Sequence, residues 1–220
     1  MAHEENKAFL RRVPLFSGLS EQQLEQLAAG SARRSFPKGR TIVSEGEPSQ
    51  SMYILLAGRA KVQRSDSEGK EVILAVLGSG EFFGEMSLID DSPRSASVIT
   101  LEPCEFMAVS KDAFKSMLMQ SPDVAMNVMR GLVRRLREAD RKIGSLALLD
   151  VYGRVARLLL DMSENVNGQK MVTKRLPKQD IAKMIGASRE MVSRVMKDLQ
   201  MGGYIEMRGS AILLRDTIML

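Results

Sequence analysis

The chain has one cysteine, Cys104, and one histidine, His3, among 220 residues. A lone cysteine has no partner for an intrachain disulfide. It cannot hold an iron–sulfur cluster, which needs several thiolates. A structural zinc site of Cys and His fails on the same count, so the sequence predicts no metal, haem or iron–sulfur cluster. A Ser-His-Asp triad would have to recruit His3, and no other nucleophile–base pair is visible. The chain is therefore not expected to be an enzyme. No apolar run reaches the roughly eighteen residues a membrane helix needs. The opening "MAHEENKAFLRRVPLF" lacks the apolar core of a secretion signal. The expected location is the cytoplasm, with no membrane contact. Cys104 sits in the strand-like "EPCEFMAVS" and reads as an ordinary buried residue.

What is present is an ordinary apolar fraction, 44%, enough for a real core. The formal net charge is +5, and it is unevenly placed. Residues 1–150 hold 20 Lys and Arg against 20 Asp and Glu, whereas residues 151–220 hold 12 against 7. A basic C-terminal part behind a neutral one points to an anionic partner at that end.

From about Phe36 to Val109 the sequence predicts short strands, "RTIVSEG", "SMYILLAG", "AKVQRS", "KEVILAVLG" and "CEFMAVS", punctuated by glycines. That spacing suggests an antiparallel sandwich or barrel. A long helix is expected from Ser121 to Leu149, opened by Ser121 and Pro122. On it Met129, Leu132, Leu136, Ala139, Ile143 and Leu146 recur at steps of three and four, which is a heptad seam. Charged residues at 134, 135, 137, 138, 141 and 142 flank it. The pattern suits either one face of a core helix or, with those flanks, pairing with a second copy of itself. Beyond Asp150, an N-cap, the segments are helical again up to a loop at "NVNGQK". Helices over 178–184 and 188–200 are then separated by "IGAS", with Gly186 making the bend and Ser188 capping the second helix. A hairpin in "YIEMRGSAILLR" follows, giving a winged helix-turn-helix.

The N-terminal part of the second helix is where this motif meets base edges. Here it carries Ser188, Arg189, Glu190, Ser193 and Arg194. Arg189 and Arg194 can each fork onto guanine O6 and N7, and Glu190 can accept from cytosine N4. Lys174, Lys178, Lys183 and Lys197 are candidates for phosphate contacts. A merely solvated charged face would carry similar residues. Its placement after a glycine turn in the basic part of the chain favours double-stranded DNA.

"GASREMVSR", "KIGSLALLDVYGRVARLLL" and "FFGEMSLIDDSPRSASV" together resemble the Crp–Fnr transcription regulators, in the catabolite activator branch, and the likeness runs over essentially the whole chain. The resemblance implies an α+β architecture. A β-roll (double-stranded β-helix or jelly roll) over residues 1–120 would bind a cyclic nucleotide. Residues 121–149 would be the dimerisation helix, and residues 150–220 the winged helix that binds DNA. "FFGEMSLIDDSPRSASV" is then similar to a phosphate-binding cassette. Arg94 would fork onto the exocyclic phosphate oxygens, and backbone N–H groups near Ser95 and Ala96 would add donors. Glu85 would accept from the ribose hydroxyl, with Gly84 and Met86 beside it. A buried Glu–Arg pair that only braces the barrel is the alternative. In that branch a Thr-Ser pair on the long helix contacts the base. The aligned residues here are Ala139 and Asp140, and Asp140 is an acceptor only. Ser95 stands where guanosine-selective domains often carry Thr. The expected ligand is cAMP, with cGMP, another nucleotide or no small ligand as alternatives. A homodimer on palindromic DNA and a contact with RNA polymerase are also implied. A module regulating a protein partner is the competing function, but it gives no reason for grouping Arg189, Glu190 and Arg194.

Overall fold

The structure is a computed structural model that describes residues 2–173 and 176–215. Lys174, named above as a phosphate contact, lies outside the described residues. The chain divides into two compact units, one up to Leu136 and one from Arg137.

The first unit opens with two helices, α1 (Ala2–Leu10) and α2 (Glu21–Ala29). The second starts on a capping box in which Ser20 and Gln23 satisfy each other's backbone N–H groups. Strands β1 (Ser31–Phe36), β2 (Thr41–Val43), β3 (Ser51–Ala57), β4 (Ala60–Ser65), β5 (Glu71–Leu77) and β6 (Phe82–Phe83) follow. Then come a one-turn helix α3 (Met86–Ile89), strands β7 (Ser97–Thr100) and β8 (Cys104–Ser110), and helices α4 (Lys111–Gln120) and α5 (Pro122–Leu148). The strands form two antiparallel four-stranded sheets, ordered β1-β8-β3-β6 and β2-β7-β4-β5.

The apolar run "SMYILLA" is explained by burial on both faces of β3. Met52, Ile54 and Leu56 face a core shared with the helices, beside Met107 and Val109 of β8. Leu55 faces the space between the sheets with Phe83, Cys104 and Phe106. Alternate residues thus serve two cores. Tyr53 stacks on Phe83 with centroids 5.3 Å apart, and Phe83 meets Phe106 edge-on at 5.7 Å. Cys104 is buried, as expected. The sheets exceed the sequence expectation at three strands. β1 has the polar reading "SARRSF" because it is an edge strand with most residues exposed, while β6 and β7 flank the cassette segment.

The second unit contains the last turns of α5, then α6 (Val151–Asp161), β9 (Glu164–Val166), β10 (Gln169–Val172), α7 (Lys178–Ile185), α8 (Arg189–Met201), β11 (Ile205–Arg208) and β12 (Ala211–Leu214). Asp150 caps α6 by accepting from the Gly153 N–H at 2.8 Å. The expected loop at "NVNGQK" is instead the β9–β10 hairpin. Its turn residues Asn167 and Gly168 have φ of 52° and 79°, the left-handed pair that an Asn-Gly turn supplies at little cost. That hairpin joins the wing in one sheet, ordered β11-β12-β10-β9.

Candidate ligand cassette and nucleic-acid interface

The β6–α3 connection places the cassette residues. Gly84 has φ of +84°, a conformation that favours glycine. A Cβ there would lie 2.1 Å from Arg94 Nη1, so the glycine also makes room for the guanidinium. Arg94 is 6% exposed. Its Nη1 donates to the Gly84 carbonyl at 3.0 Å and its Nη2 to the Ser51 carbonyl at 2.5 Å. Burial works against its charge, while Tyr53, Glu85 and Glu47 favour it. On either side of it the backbone is pinned, Arg94 N–H to Glu47 O at 2.9 Å and Gly46 N–H to Arg94 O at 2.8 Å. Among the described residues, the N–H groups of Ser95 and Ala96 have no backbone acceptor. Ser95 and Met86 are exposed, whereas Ala96 is buried.

Glu85 is fully buried. Its partner is not Arg94, so the bracing Glu85–Arg94 pair is not formed. Oε1 accepts instead from Arg135 Nη1 at 2.6 Å, and Oε2 has no partner. Burial pushes the carboxyl above its ordinary pKa, against the opposing pull of Arg135 and, more weakly, Arg94. Arg135 also donates to the Phe82 carbonyl and lies over the Phe82 ring, 4.8 Å from its centroid. One turn earlier on α5, a Cβ on Gly131 would come within 2.9 Å of Phe82. Gly131 therefore brings the helix close, and Arg135 reaches the cassette across the same ring. Sequence reasoning placed Arg135 among flanking charges and missed this role. The available signal was a glycine inside a long helix.

The arrangement suits a cyclic phosphodiester. A guanidinium, two free N–H groups and a carboxylate oxygen in need of a donor match one anionic phosphate and one ribose hydroxyl. Ala139 and Asp140 follow Arg135 by four and five residues on α5, and both are exposed. Along the heptad seam, Met129, Leu136, Ile143 and Leu146 are large exposed apolar side chains. Leu132 instead packs against the first unit's own core.

In the second unit Gly186 ends α7 with φ of +64°, and Ser188 Oγ caps α8 by accepting from Met191 N–H at 3.2 Å. Val192, Val195, Met196 and Leu199 form the buried stripe. Arg189, Glu190, Arg194 and Lys197 are exposed. The carboxyl of Glu190 is held below its ordinary pKa, chiefly by its own backbone N–H and then by Ser188. Lys178 and Ser193 are half-buried and joined by a 2.7 Å hydrogen bond.

Residues 33–121 match the family described as cyclic nucleotide-binding domain, and residues 153–220 match the Crp-like helix-turn-helix domain. The class is thus a cyclic nucleotide-binding module joined to a DNA-binding one. The CRP-like cAMP-activated global transcriptional regulator of Mycobacterium tuberculosis is 32% identical, over 94% of this chain and 95% of its own length. The cyclic AMP receptor protein of Thermus thermophilus is 33% identical, over 96% of both chains. The solved structure of the c-di-GMP responsive global regulator CLP of Xanthomonas campestris superposes with a TM-score of 0.75 at 30% identity, covering 90% of this chain and all of that one. The chain belongs to the Crp family of transcription regulators, whose members here are regulators and not enzymes. Among the described residues no helix is long and apolar enough to cross a membrane.

Proposed function

We propose that the chain is a cAMP-gated, sequence-specific transcription regulator that acts in the cytoplasm as a homodimer and contacts RNA polymerase. Residues 1–120 are the nucleotide-binding roll, 121–149 the dimerisation helix and 150–220 the DNA-binding winged helix. The observation that carries the reading is Glu85, a fully buried carboxylate with one oxygen unpartnered, beside Gly84, whose missing side chain leaves Arg94 its place. An orphan oxygen on a buried carboxyl is costly in a pair that serves structure alone. The bound nucleotide supplies one anionic phosphate and one donor hydroxyl. Arg94 and the N–H groups of Ser95 and Ala96 hold the first, and Glu85 takes the second. Arg135 couples Glu85 to α5, so a change in the partners of Glu85 is felt by the helix. That bias on a two-state equilibrium sets whether two copies of α8 meet successive major grooves, about 34 Å apart. Met129, Leu136, Ala139, Ile143 and Leu146 form the seam between copies, with Leu132 at its edge. Ser188, Arg189, Glu190 and Arg194 face base edges, and Lys197 a phosphate.

Calorimetric titration with cAMP, cGMP and cyclic di-GMP, repeated on Arg94→Ala, tests the reading. Wild type should bind cAMP and the variant should not. Equal binding by both would remove the cassette assignment. Asp140 favours a second reading, because an acceptor-only side chain pairs naturally with guanine N1–H and N2–H donors. Tighter binding of cGMP than cAMP, abolished in Asp140→Ala, would establish it.

A further inference from the structure

The Lys178–Ser193 bond joins α7 to α8, and its chemistry is one-sided. An ammonium offers three donors and no acceptor, so Ser193 Oγ must accept. The lone pair facing Lys178 is then occupied and the hydroxyl proton points elsewhere. Among the described residues no acceptor takes that proton, not even the carbonyl one turn back that helical serines commonly use. Ser193 is therefore a directed donor whose proton is left for solvent or a ligand. Its surroundings are net cationic, three cations against the one carboxylate of Glu190, three residues back on α8. Arg189, Ser193 and Lys197 recur every four residues on one stripe of α8, and Lys178 adds a charge from the side. Lys178 also stands in the first turn of α7, where the helix dipole disfavours a cation. The position is poor for α7 and good for an anion lying over both helices.

Resting on the DNA-binding reading, we infer that Lys178 and Ser193 act as one unit that grips a single DNA phosphate. Lys178 is the positioning residue that turns Ser193 into a donor, and Ser193 touches the phosphate oxygen. The earlier division, which set Ser193 against bases and Lys178 against phosphate, is replaced by a shared backbone contact. Such a contact fixes register and carries no base preference.

The test uses the full chain with cAMP present. Binding is measured on an operator recovered by the wild type from a random-sequence library and on a random-sequence duplex over a range of salt concentrations, for Ser193→Ala, Ser193→Thr, Lys178→Ala, Lys178→Arg and the double alanine variant. Thermal melting confirms that each variant is folded. Both single alanine variants should weaken binding about tenfold on operator and random duplex alike. Lys178→Ala should lower the salt slope by about one phosphate's share, roughly 0.9. The double variant should be little worse than Lys178→Ala alone, because the two residues share one contact. Ser193→Thr and Lys178→Arg should retain most of the binding. A changed base preference in Ser193→Ala, or additive losses in the double variant, would overturn the inference. Failure of the wild type to bind any duplex, whether with cAMP, with cGMP or with neither, would instead strike the DNA-binding reading beneath it.

Discussion

The cassette and the recognition helix both carry arginines and a glutamate, but they hold them in opposite ways. Glu85 and Arg94 are sealed inside the first unit, at 0% and 6% exposure; backbone carbonyls hold Arg94, and the Arg135 side chain holds one oxygen of Glu85. Arg189, Glu190 and Arg194 stand in solvent on one turn and a half of α8. Buried charge is expensive, so its partners must be fixed before the ligand arrives. Exposed charge is cheap, so it can wait for a partner and be chosen for that partner alone. The cassette should therefore report substitutions through both stability and binding, and the recognition helix through binding alone.

The sharpest break in that contrast is Gly84→Ala. The new methyl falls on Arg94 Nη1 and the left-handed φ adds strain. Ejecting a buried, doubly bonded guanidinium should cost roughly a hundredfold or more in nucleotide affinity and lower the melting temperature as well. Next in size is Arg135→Met. It leaves Glu85 buried with no cation in contact, and chemical denaturation should show a loss of about 3 kcal/mol. Adding Glu85→Gln to Arg135→Met should recover much of that loss. If it does not, the Glu85–Arg135 contact is not what α5 contributes there.

The two regions also differed in how far they could be read from residues alone. The helix-turn-helix was legible because it rests on local rules. Gly186 supplies the bend, Ser188 the cap and four apolar residues the stripe, all within one short segment. The cassette was half legible. Arg94 and Glu85 stood out as charges in an apolar run, but the partner of Glu85 lies fifty residues away on α5. Nothing in helical periodicity separates Arg135 from Arg134 or Arg137, since burial there comes from the approach of Phe82. The β9–β10 hairpin was a different kind of miss. Its Asn-Gly turn was plain, but the flanking strands are short and largely exposed, so no alternation marked them. β1 was hidden in the same way by "SARRSF".

On the exposed side, Arg189→Ala should cost about tenfold in operator affinity, within the roughly 1–3 kcal/mol of one base contact. It should leave the melting temperature within the scatter expected of a surface substitution. The effect should vanish on a duplex whose matching guanine is replaced. A drop in melting temperature comparable to that of Gly84→Ala would erase the distinction between the two regions.

The smallest expected effect is the pH response of Glu85. Burial holds its carboxyl above the ordinary value in the folded chain, and unfolding returns it to about 4.3. Between those two values the folded chain keeps a proton that the unfolded chain releases. This contribution to stability is complete below the unfolded pKa and is lost as pH rises through the folded one. Stability measured by denaturation should thus fall with rising pH across that window, and Glu85→Gln should flatten the slope. Glu190 provides the counterpart on the exposed helix. Its carboxyl is shifted downward, so its contribution has the opposite sign and is lost only as pH falls through its depressed value. Because Glu190 is exposed, solvent screens that contribution, and Glu190→Gln should leave the slope in the upper window untouched. A slope that survives Glu85→Gln would mean that the buried carboxylate does not set the cassette's protonation.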